Sequence, residues 1–154
     1  MSDLSEIYNA RILELAAETS RAGRLGAPDA TATAHSKLCG STVTVDLVIA
    51  DGRIADFAQV VKACLLGQAA ATVVAREIVG TTPAEMRDVG TTMRAMLKEG
   101  GTPPAGRWAD LAVLQPVRDY RARHASTLLV FDAVDRALDT LGAVVGARQV
   151  AGRG

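Results

Sequence analysis

One stretch of the chain, "STVTVDLVIADGRIADFAQVV" at 41–61, constrains the fold more than any other. Its first half alternates apolar side chains with Thr44, Asp46 and Val48, two of which are polar, and this is the two-residue period of a strand with one buried face. The apolar positions are Val43, Val45, Leu47 and Ile49. Asp51-Gly52 follows, and this dipeptide is a strong local signal for a tight turn between antiparallel strands. The stretch therefore predicts an antiparallel hairpin around which the rest of the chain must pack.

Helical patterns lie on both sides of the predicted hairpin. An amphipathic helix is predicted over 2–23, followed by a loop with a short edge strand through "ATATAHS". After the hairpin the chain predicts, in order, a helix from Cys64 to Gly80, a helix that begins with a capping box formed by Thr82 and Glu85, a short helical segment in "RWADLAVLQPV", and a last helix over about 117–141. This order predicts an α+β fold with a small antiparallel sheet of two to three strands and about four to five helices.

Length and composition limit the classes of protein to which the chain can belong. At 154 residues it is expected to form a single domain over 1–154, with an ordered core over about 4–141 and a C-terminal tail over 142–154. Seventeen basic and seventeen acidic side chains cancel, and no basic stretch carries interleaved aromatic residues, so no nucleic-acid partner is expected. No apolar run reaches the length of a membrane span and the N-terminus lacks the order of a signal peptide, so we expect no membrane association and a cytoplasmic location.

The two cysteines are the residues most suited to chemistry. Cys39 and Cys64 each lie twelve residues from the nearer residue of the turn, so antiparallel pairing should bring them to the same end of the hairpin. Cys64 also begins a predicted helix, whose positive end favours the thiolate that binds metals or attacks sulfur. Two neighbouring thiols are consistent with a metal pair, a redox pair or simple proximity, and Cys64 alone with a buried, packed cysteine.

Two thiolates are too few for a closed zinc or iron–sulfur site, which normally has four ligands. The only histidines, His35 and His124, are the candidates to complete such a site. The competing interpretation makes His35 a solvated loop residue and His124 part of a solvated basic helix face. Signatures of phosphate-binding loops, dinucleotide-binding folds and serine hydrolases are absent from the sequence.

The segment "CGSTVTVDLVIADGRIADFAQVVKAC" resembles the hairpin of the iron–sulfur cluster assembly scaffold family that comprises IscU, the NifU N-terminal domain and SufU. "IYNARILEL" is similar to the first helix of that family, and "LAVLQPVRDYRARHASTLLVFDAV" to its last helix. The longer segment between "MRAML" and "LQPV" is more similar to the SufU branch. The resemblance covers roughly 4–141. It implies binding of iron, zinc or an iron–sulfur cluster through Cys39 and Cys64, with a cysteine desulfurase and other Fe–S assembly proteins as partners.

Two ligand positions depart from the pattern of the family. Ser41 stands where the family has an aspartate two residues after the first cysteine, and Ser126 stands where it has the third cysteine. A shift of one residue would place Ala125 there and match His124 to the histidine that precedes that cysteine in the IscU branch. A serine hydroxyl stays protonated near neutral pH and is a poor ligand for iron or zinc. Ser41 and Ser126 therefore weaken the predicted metal site.

Three hypotheses follow. In the first, the chain is a cluster scaffold or sulfur-relay protein, with Cys39 and Cys64 as ligands or persulfide acceptors and a weakly or transiently bound cluster or zinc. In the second, it is a degenerate member of the family that binds no metal and acts as an adaptor in Fe–S assembly. In the third, Cys64 is the nucleophile of a sulfur-transferring enzyme. We expect a binding protein rather than an enzyme, with a zinc-dependent sulfurtransferase-like activity as the enzymatic alternative.

Overall fold

The computed structural model describes residues 9–18, 20–37 and 40–152, and side chains as far as residue 141. Within these residues, three strands form one antiparallel sheet in the order β1-β2-β3. The strands are β1 Ala30–His35, β2 Thr42–Ala50 and β3 Arg53–Lys62. The predicted hairpin is β2 and β3, and the predicted edge strand is β1.

The turn of the hairpin has the conformation that its dipeptide favours. Asp51 and Gly52 both have positive φ, 54° and 75°, as a type I′ turn requires at its two central residues. The pairing shifts by one residue between Val48 and Ile49, so β3 carries one extra residue there. On the side of this irregularity away from the turn, β2 and β3 stay in register as far as the pair Thr42 and Lys62. This pair marks the end of the sheet that lies nearest in sequence to Cys39 and Cys64.

Helices pack against this sheet and against one another. They are α1 Ala10–Ala17, α2 Leu65–Glu77, α3 Pro83–Glu99, α4 His124–Thr127 and α5 Leu129–Gly152, with 3₁₀ segments over Gly106–Asp119 and Arg121–Arg123. Helix α5 lies across β1 and β2, while α1 packs against α2. The predicted α+β class is confirmed. Within the part of the chain that the structure describes, no helix is both long and apolar enough to cross a membrane.

Several predicted helix bounds were wrong. The first helix ends at Ala17 instead of Gly23, because Ala22 pairs with Gln59 and this part of the chain runs along the edge of β3; residues 2–8 of that prediction lie outside the described residues. The last helix begins later than predicted, since the chain around Pro116 adopts a 3₁₀ conformation. It also continues to Gly152, through most of the segment predicted to be a tail.

Only one of the two hydrogen bonds of the predicted capping box of α3 forms. The Thr82 hydroxyl accepts a hydrogen bond from the Glu85 backbone N–H at 3.2 Å, as a helix N-cap does. The Glu85 carboxylate, however, accepts from the Trp108 indole N–H at 2.9 Å, so the second bond of a capping box is replaced by a tertiary contact. This bond joins α3 to the 3₁₀ segment that leads towards α4.

Candidate functional site

Cys64 lies between the end of β3 and the first turn of α2. Its backbone is extended, with φ −66° and ψ 172°, and it occupies the N-cap position of the helix. Its side chain makes no capping hydrogen bond to the described part of α2, so the thiol is directed to other partners. The predicted position of a cysteine at the start of this helix is therefore confirmed.

The thiol of Cys64 faces the hydroxyl of Ser126 from α4. The Sγ and Oγ atoms are 3.4 Å apart, and the Ser126 hydroxyl donates in turn to the Arg123 carbonyl at 3.2 Å. Ser126 is buried and Cys64 is half-buried, whereas the neighbouring Ala125 is exposed. Of the two alignments considered for the last helix, the structure therefore favours the one that places Ser126, rather than Ala125, beside Cys64.

Gly67 allows this close approach of α2 to α4. A Cβ atom built on Gly67 would lie 2.8 Å from the Ser126 carbonyl oxygen and 2.9 Å from the Ala63 Cβ. Both distances are shorter than side-chain carbon atoms tolerate, and neither neighbour is the end of a flexible side chain. The absence of a side chain at Gly67 thus permits the contact between Cys64 and Ser126.

We expect Gly67→Ala to lower the free energy of unfolding by about 2 kcal/mol, because the added methyl must push α2 away from α4. Urea denaturation measures this loss. Gly90→Ala is the matched control, since the nearest atom to its added Cβ, at 3.2 Å, belongs to the far end of the Arg94 side chain rather than to the backbone. That variant should be neutral or more stable, because alanine favours helix over glycine. Equal losses in both variants would show that the approach at Gly67 is not tight.

The loop that carries Cys39 closes tightly at the same end of the sheet. The Ser36 backbone N–H donates to the Ser41 carbonyl at 2.9 Å, and the Gly40 N–H donates to the Ser36 carbonyl at 2.8 Å. Both serines are buried. Cys39 itself, with Leu38, lies outside the described residues, so the proximity of Cys39 to Cys64 stays a prediction. Gly40 and Cys64 each lie two residues beyond the last pair of the β2–β3 ladder.

The two histidines occupy quite different positions. His35 ends β1 with an exposed side chain, and is not in a loop as one interpretation had it. His124 is buried, and its Nε2 lies 3.0 Å from both the Val117 and Arg118 carbonyls. Carbonyls only accept, so Nε2 carries a proton and donates to them. The interpretation of His124 as part of a solvated basic face is wrong, because its side chain is buried. Its Nε2 binds two carbonyls at the end of the 3₁₀ segment and is therefore not available to a metal.

The donor set beside Cys64 does not by itself fit a metal. Among the residues that the structure describes, no group of three or more His, Cys, Asp or Glu side chains is arranged to hold an ion. Cys64 supplies one soft sulfur ligand there, and Ser126 supplies a neutral hydroxyl that iron and zinc bind poorly. A metal or cluster would need Cys39 and further ligands from elsewhere.

Asp46 is a polar residue whose importance the sequence did not reveal. It lies in β2, and its side chain is fully buried. The Arg24 guanidinium donates two hydrogen bonds to its carboxylate, at 2.7 and 3.1 Å. The Thr31 hydroxyl and the Leu25 N–H donate to it as well, at 2.7 and 3.0 Å. Burial alone would raise the pKa of Asp46, but these hydrogen bonds outweigh it and hold the pKa below its ordinary value. Asp46 thereby ties the loop before β1 to the sheet that positions the site.

Solved structures share this fold over most of the chain. The N-terminal part of a nitrogen-fixing NifU-like protein from Brucella abortus is 54% identical, with a TM-score of 0.90, and the match covers 92% of this chain and 99% of that one. A protein described as an iron–sulfur cluster assembly scaffold of the SUF system, from Fervidobacterium islandicum AW-1, matches at 20% identity and a TM-score of 0.81, over 88% of this chain and 99% of that one. A hypothetical protein matches at 18% identity and a TM-score of 0.77, with the same coverage.

The identity with the Brucella protein places the chain in a family. At this identity and coverage, the chain belongs to the NifU-like (N-terminal) proteins, within the group formed by IscU, NifU and SufU. The predicted resemblance is thereby confirmed. The two more distant structures support the fold. No protein-family model and no curated protein matches the chain.

Proposed function

We propose that the chain is an iron–sulfur cluster assembly scaffold or sulfur-relay protein in which Cys39 and Cys64 hold the cargo. Membership of the NifU-like family supports this role, as does a relative described as a scaffold. The observation that carries the proposal is the position of Cys64, a half-buried thiol at the start of α2. Because thiolate chemistry requires reduced cysteines, the cytoplasm is the proposed location.

In the relay form of the proposal, Cys64 accepts sulfur from a cysteine desulfurase. Its thiolate attacks the outer sulfur of a persulfide on the desulfurase, so a new S–S bond forms at Cys64 while the S–S bond of the donor breaks. The donor leaves as a thiolate. The Ser126 hydroxyl accepts from the Cys64 thiol at 3.4 Å and donates to the Arg123 carbonyl, so it would turn its proton from that carbonyl to the Cys64 thiolate before the attack.

In the scaffold form, the cargo is a zinc ion, iron or an iron–sulfur cluster held weakly by Cys39 and Cys64. Two thiolates leave the coordination incomplete, so a partner in Fe–S assembly supplies the remaining ligands. The cargo is then labile in the isolated chain and better retained in the complex.

A second candidate function is that of an adaptor that docks on assembly partners without carrying cargo. The observation that favours it is the Ser126 hydroxyl, which fills the place beside Cys64 and is already bonded to the Arg123 carbonyl. Under this proposal the fold and the partner surface are retained, while Cys64 is a packed side chain beside α4.

Anaerobic purification, with iron, zinc and acid-labile sulfide quantified, tests the scaffold function. We expect the wild-type chain to hold less than one metal per chain, because two thiolates do not close a site. Cys39→Ser and Cys64→Ser should each remove most of it. Ala125→Ser is the matched control, since it adds a serine next to the site at an exposed position and leaves both thiols in place.

The same preparations separate the alternatives. A colourless wild-type chain without metal, which still binds its assembly partners, would support the adaptor. Sulfur transfer from a small persulfide donor over many turnovers, without a partner enzyme, would support the enzymatic hypothesis. One tightly bound metal per chain that survives a chelator would contradict the incomplete site.

A further inference from the structure

An open cleft of about 650 Å³ lies where the end of helix α3 meets the residues that lead into α4. The end of α3 and its cap contribute Leu97, Lys98 and Gly100. The 3₁₀ segments and α4 contribute Arg118, Asp119, Arg121, His124 and Ala125. Since pockets of about 300–1,000 Å³ hold drug-sized ligands, this cleft has room for several side chains of a peptide segment.

Three cations line this cleft without an anionic partner of their own. The side chains of Lys98, Arg118 and Arg121 are exposed and form no ion pair within the described part of the chain. Arginines elsewhere pair with carboxylates, as Arg24 and Arg94 do. Because the formal net charge of the whole chain is zero, the cleft is a local excess of positive charge.

The cleft adjoins the Cys64 thiol through α4. Ala125 lines the cleft, and the next residue, Ser126, faces Cys64 at 3.4 Å. A molecule seated in the cleft therefore contacts the residue next to the one that holds the thiol.

We propose that this cleft docks an acidic segment of a partner protein, with Arg118 and Arg121 binding its carboxylates. A guanidinium can donate two parallel hydrogen bonds to one carboxylate, which a lysine cannot do. The two arginines have no carboxylate of this chain to release before they bind another. They lie three residues apart on two 3₁₀ segments, which suits a segment that carries more than one carboxylate.

The surroundings of the arginines favour this occupant over a phosphate or a nucleic acid. Phosphate sites commonly use the backbone N–H groups of a helix N-terminus, whereas the helix end that borders this cleft is the C-terminus of α3, capped by Gly100. No Phe, Tyr or Trp side chain of the described chain lines the cleft to stack on a base, and Asp119 would repel a phosphate backbone.

The inference extends the proposed function, on which it rests, by giving the chemistry of the partner surface that meets Cys64. Metal and sulfide contents test the cargo, whereas peptide binding tests the cleft. The two proposals can therefore fail separately.

Titration of the wild-type chain with a capped hexaglutamate peptide, followed by ¹H–¹⁵N NMR at an ionic strength of about 20 mM, tests the proposal. We expect saturable shifts of the Gly100 and Ala125 backbone amides with a Kd of about 1 mM. Raising the ionic strength to about 200 mM should weaken binding at least about 5-fold, because salt screens exposed charges. Absence of saturable shifts with hexaglutamate would overturn the proposal.

Three further probes test the identity of the occupant at the same ionic strength. Capped hexaglutamine lacks the charges and should give no saturable shift of these amides, and equal binding would contradict the role of the carboxylates. Inorganic phosphate and hexathymidylate should each bind at least about 5-fold more weakly than hexaglutamate. Equal or tighter binding of phosphate would assign the cleft to a small anion, and that of hexathymidylate to a nucleic acid; either result would overturn the proposal.

Substitutions locate the bound peptide. Arg118→Gln combined with Arg121→Gln removes both guanidinium groups and should weaken hexaglutamate binding at least about 10-fold. Arg53→Gln combined with Arg87→Gln is the matched control, because it makes the same change in net charge at two exposed arginines that do not line the cleft. This control should lose less than about 2-fold. Asp119→Asn should instead strengthen binding, and equal losses in the two double variants would contradict the assignment.

Discussion

Ser126→Cys should raise the affinity of the chain for Zn²⁺ by on the order of 100-fold, because a thiolate replaces a protonated hydroxyl beside Cys64. The geometry suits this change. Two thiolates on one tetrahedral zinc, each at about 2.3 Å, lie about 3.8 Å apart. The Sγ of Cys64 and the Oγ of Ser126 are already 3.4 Å apart, so little movement is needed. Competition with a chromophoric chelator under anaerobic conditions measures the affinity.

Ala125→Cys is the matched control for this substitution. It adds the same thiol one residue earlier, at an exposed position and in the alternative alignment of the last helix. We expect a much smaller gain in zinc affinity than for Ser126→Cys. Adding Ser41→Asp to Ser126→Cys should raise the affinity further if the loop that carries Cys39 contributes to the same site. An equal gain from Ala125→Cys would show that Ser126 does not define the third ligand position.

Asp46→Asn should lower the free energy of unfolding by about 3 kcal/mol near neutral pH. The amide that replaces the carboxylate is neutral, and its NH₂ group would face donors from Arg24, Leu25 or Thr31. Asp56→Asn is the control on the neighbouring strand, where a half-exposed carboxylate meets Arg21 at 3.4 Å. It should cost less than about 1 kcal/mol, as exposed ion pairs contribute little.

The loss in Asp46→Asn should depend on pH with a defined sign. Because the pKa of Asp46 is held below its ordinary value of 3.8 in the folded chain, its carboxylate stabilises the fold fully above that value. This stabilisation disappears as the pH falls from there through the lower pKa of the folded state. The difference between wild type and Asp46→Asn, measured by urea denaturation, should therefore shrink in acid. A difference that does not change with pH would show that the charge of Asp46 is not its cause.

Those parts of the structure that depend on neighbouring residues could be predicted from the sequence. The alternation around Val45 and the Asp51-Gly52 pair predicted the hairpin, because side-chain period and turn conformation are local properties of the backbone. The Thr82 cap formed for the same reason, since a hydroxyl reaches an N–H three residues ahead. Cys64 was correctly placed at the start of a helix from the change of period around it.

Glu85, His124, Asp46 and Ser126 show what only the tertiary structure decided. Local spacing or alignment assigned Glu85 to a capping box and His124 to a basic surface. It assigned Asp46 to a polar position of a strand and Ser126 to one of two alternative registers. In the structure, Glu85 binds Trp108 and His124 binds two carbonyls of the 3₁₀ segment. Asp46 binds Arg24, and Ser126 binds Cys64, which lies 62 positions away along the chain. Such contacts depend on how helices and loops pack, and on where a glycine such as Gly67 lets two backbones approach. Local periodicity carries no information about those distances, so the sequence determined the hairpin and the position of Cys64 at the start of α2, while packing determined which side chain faces the Cys64 thiol.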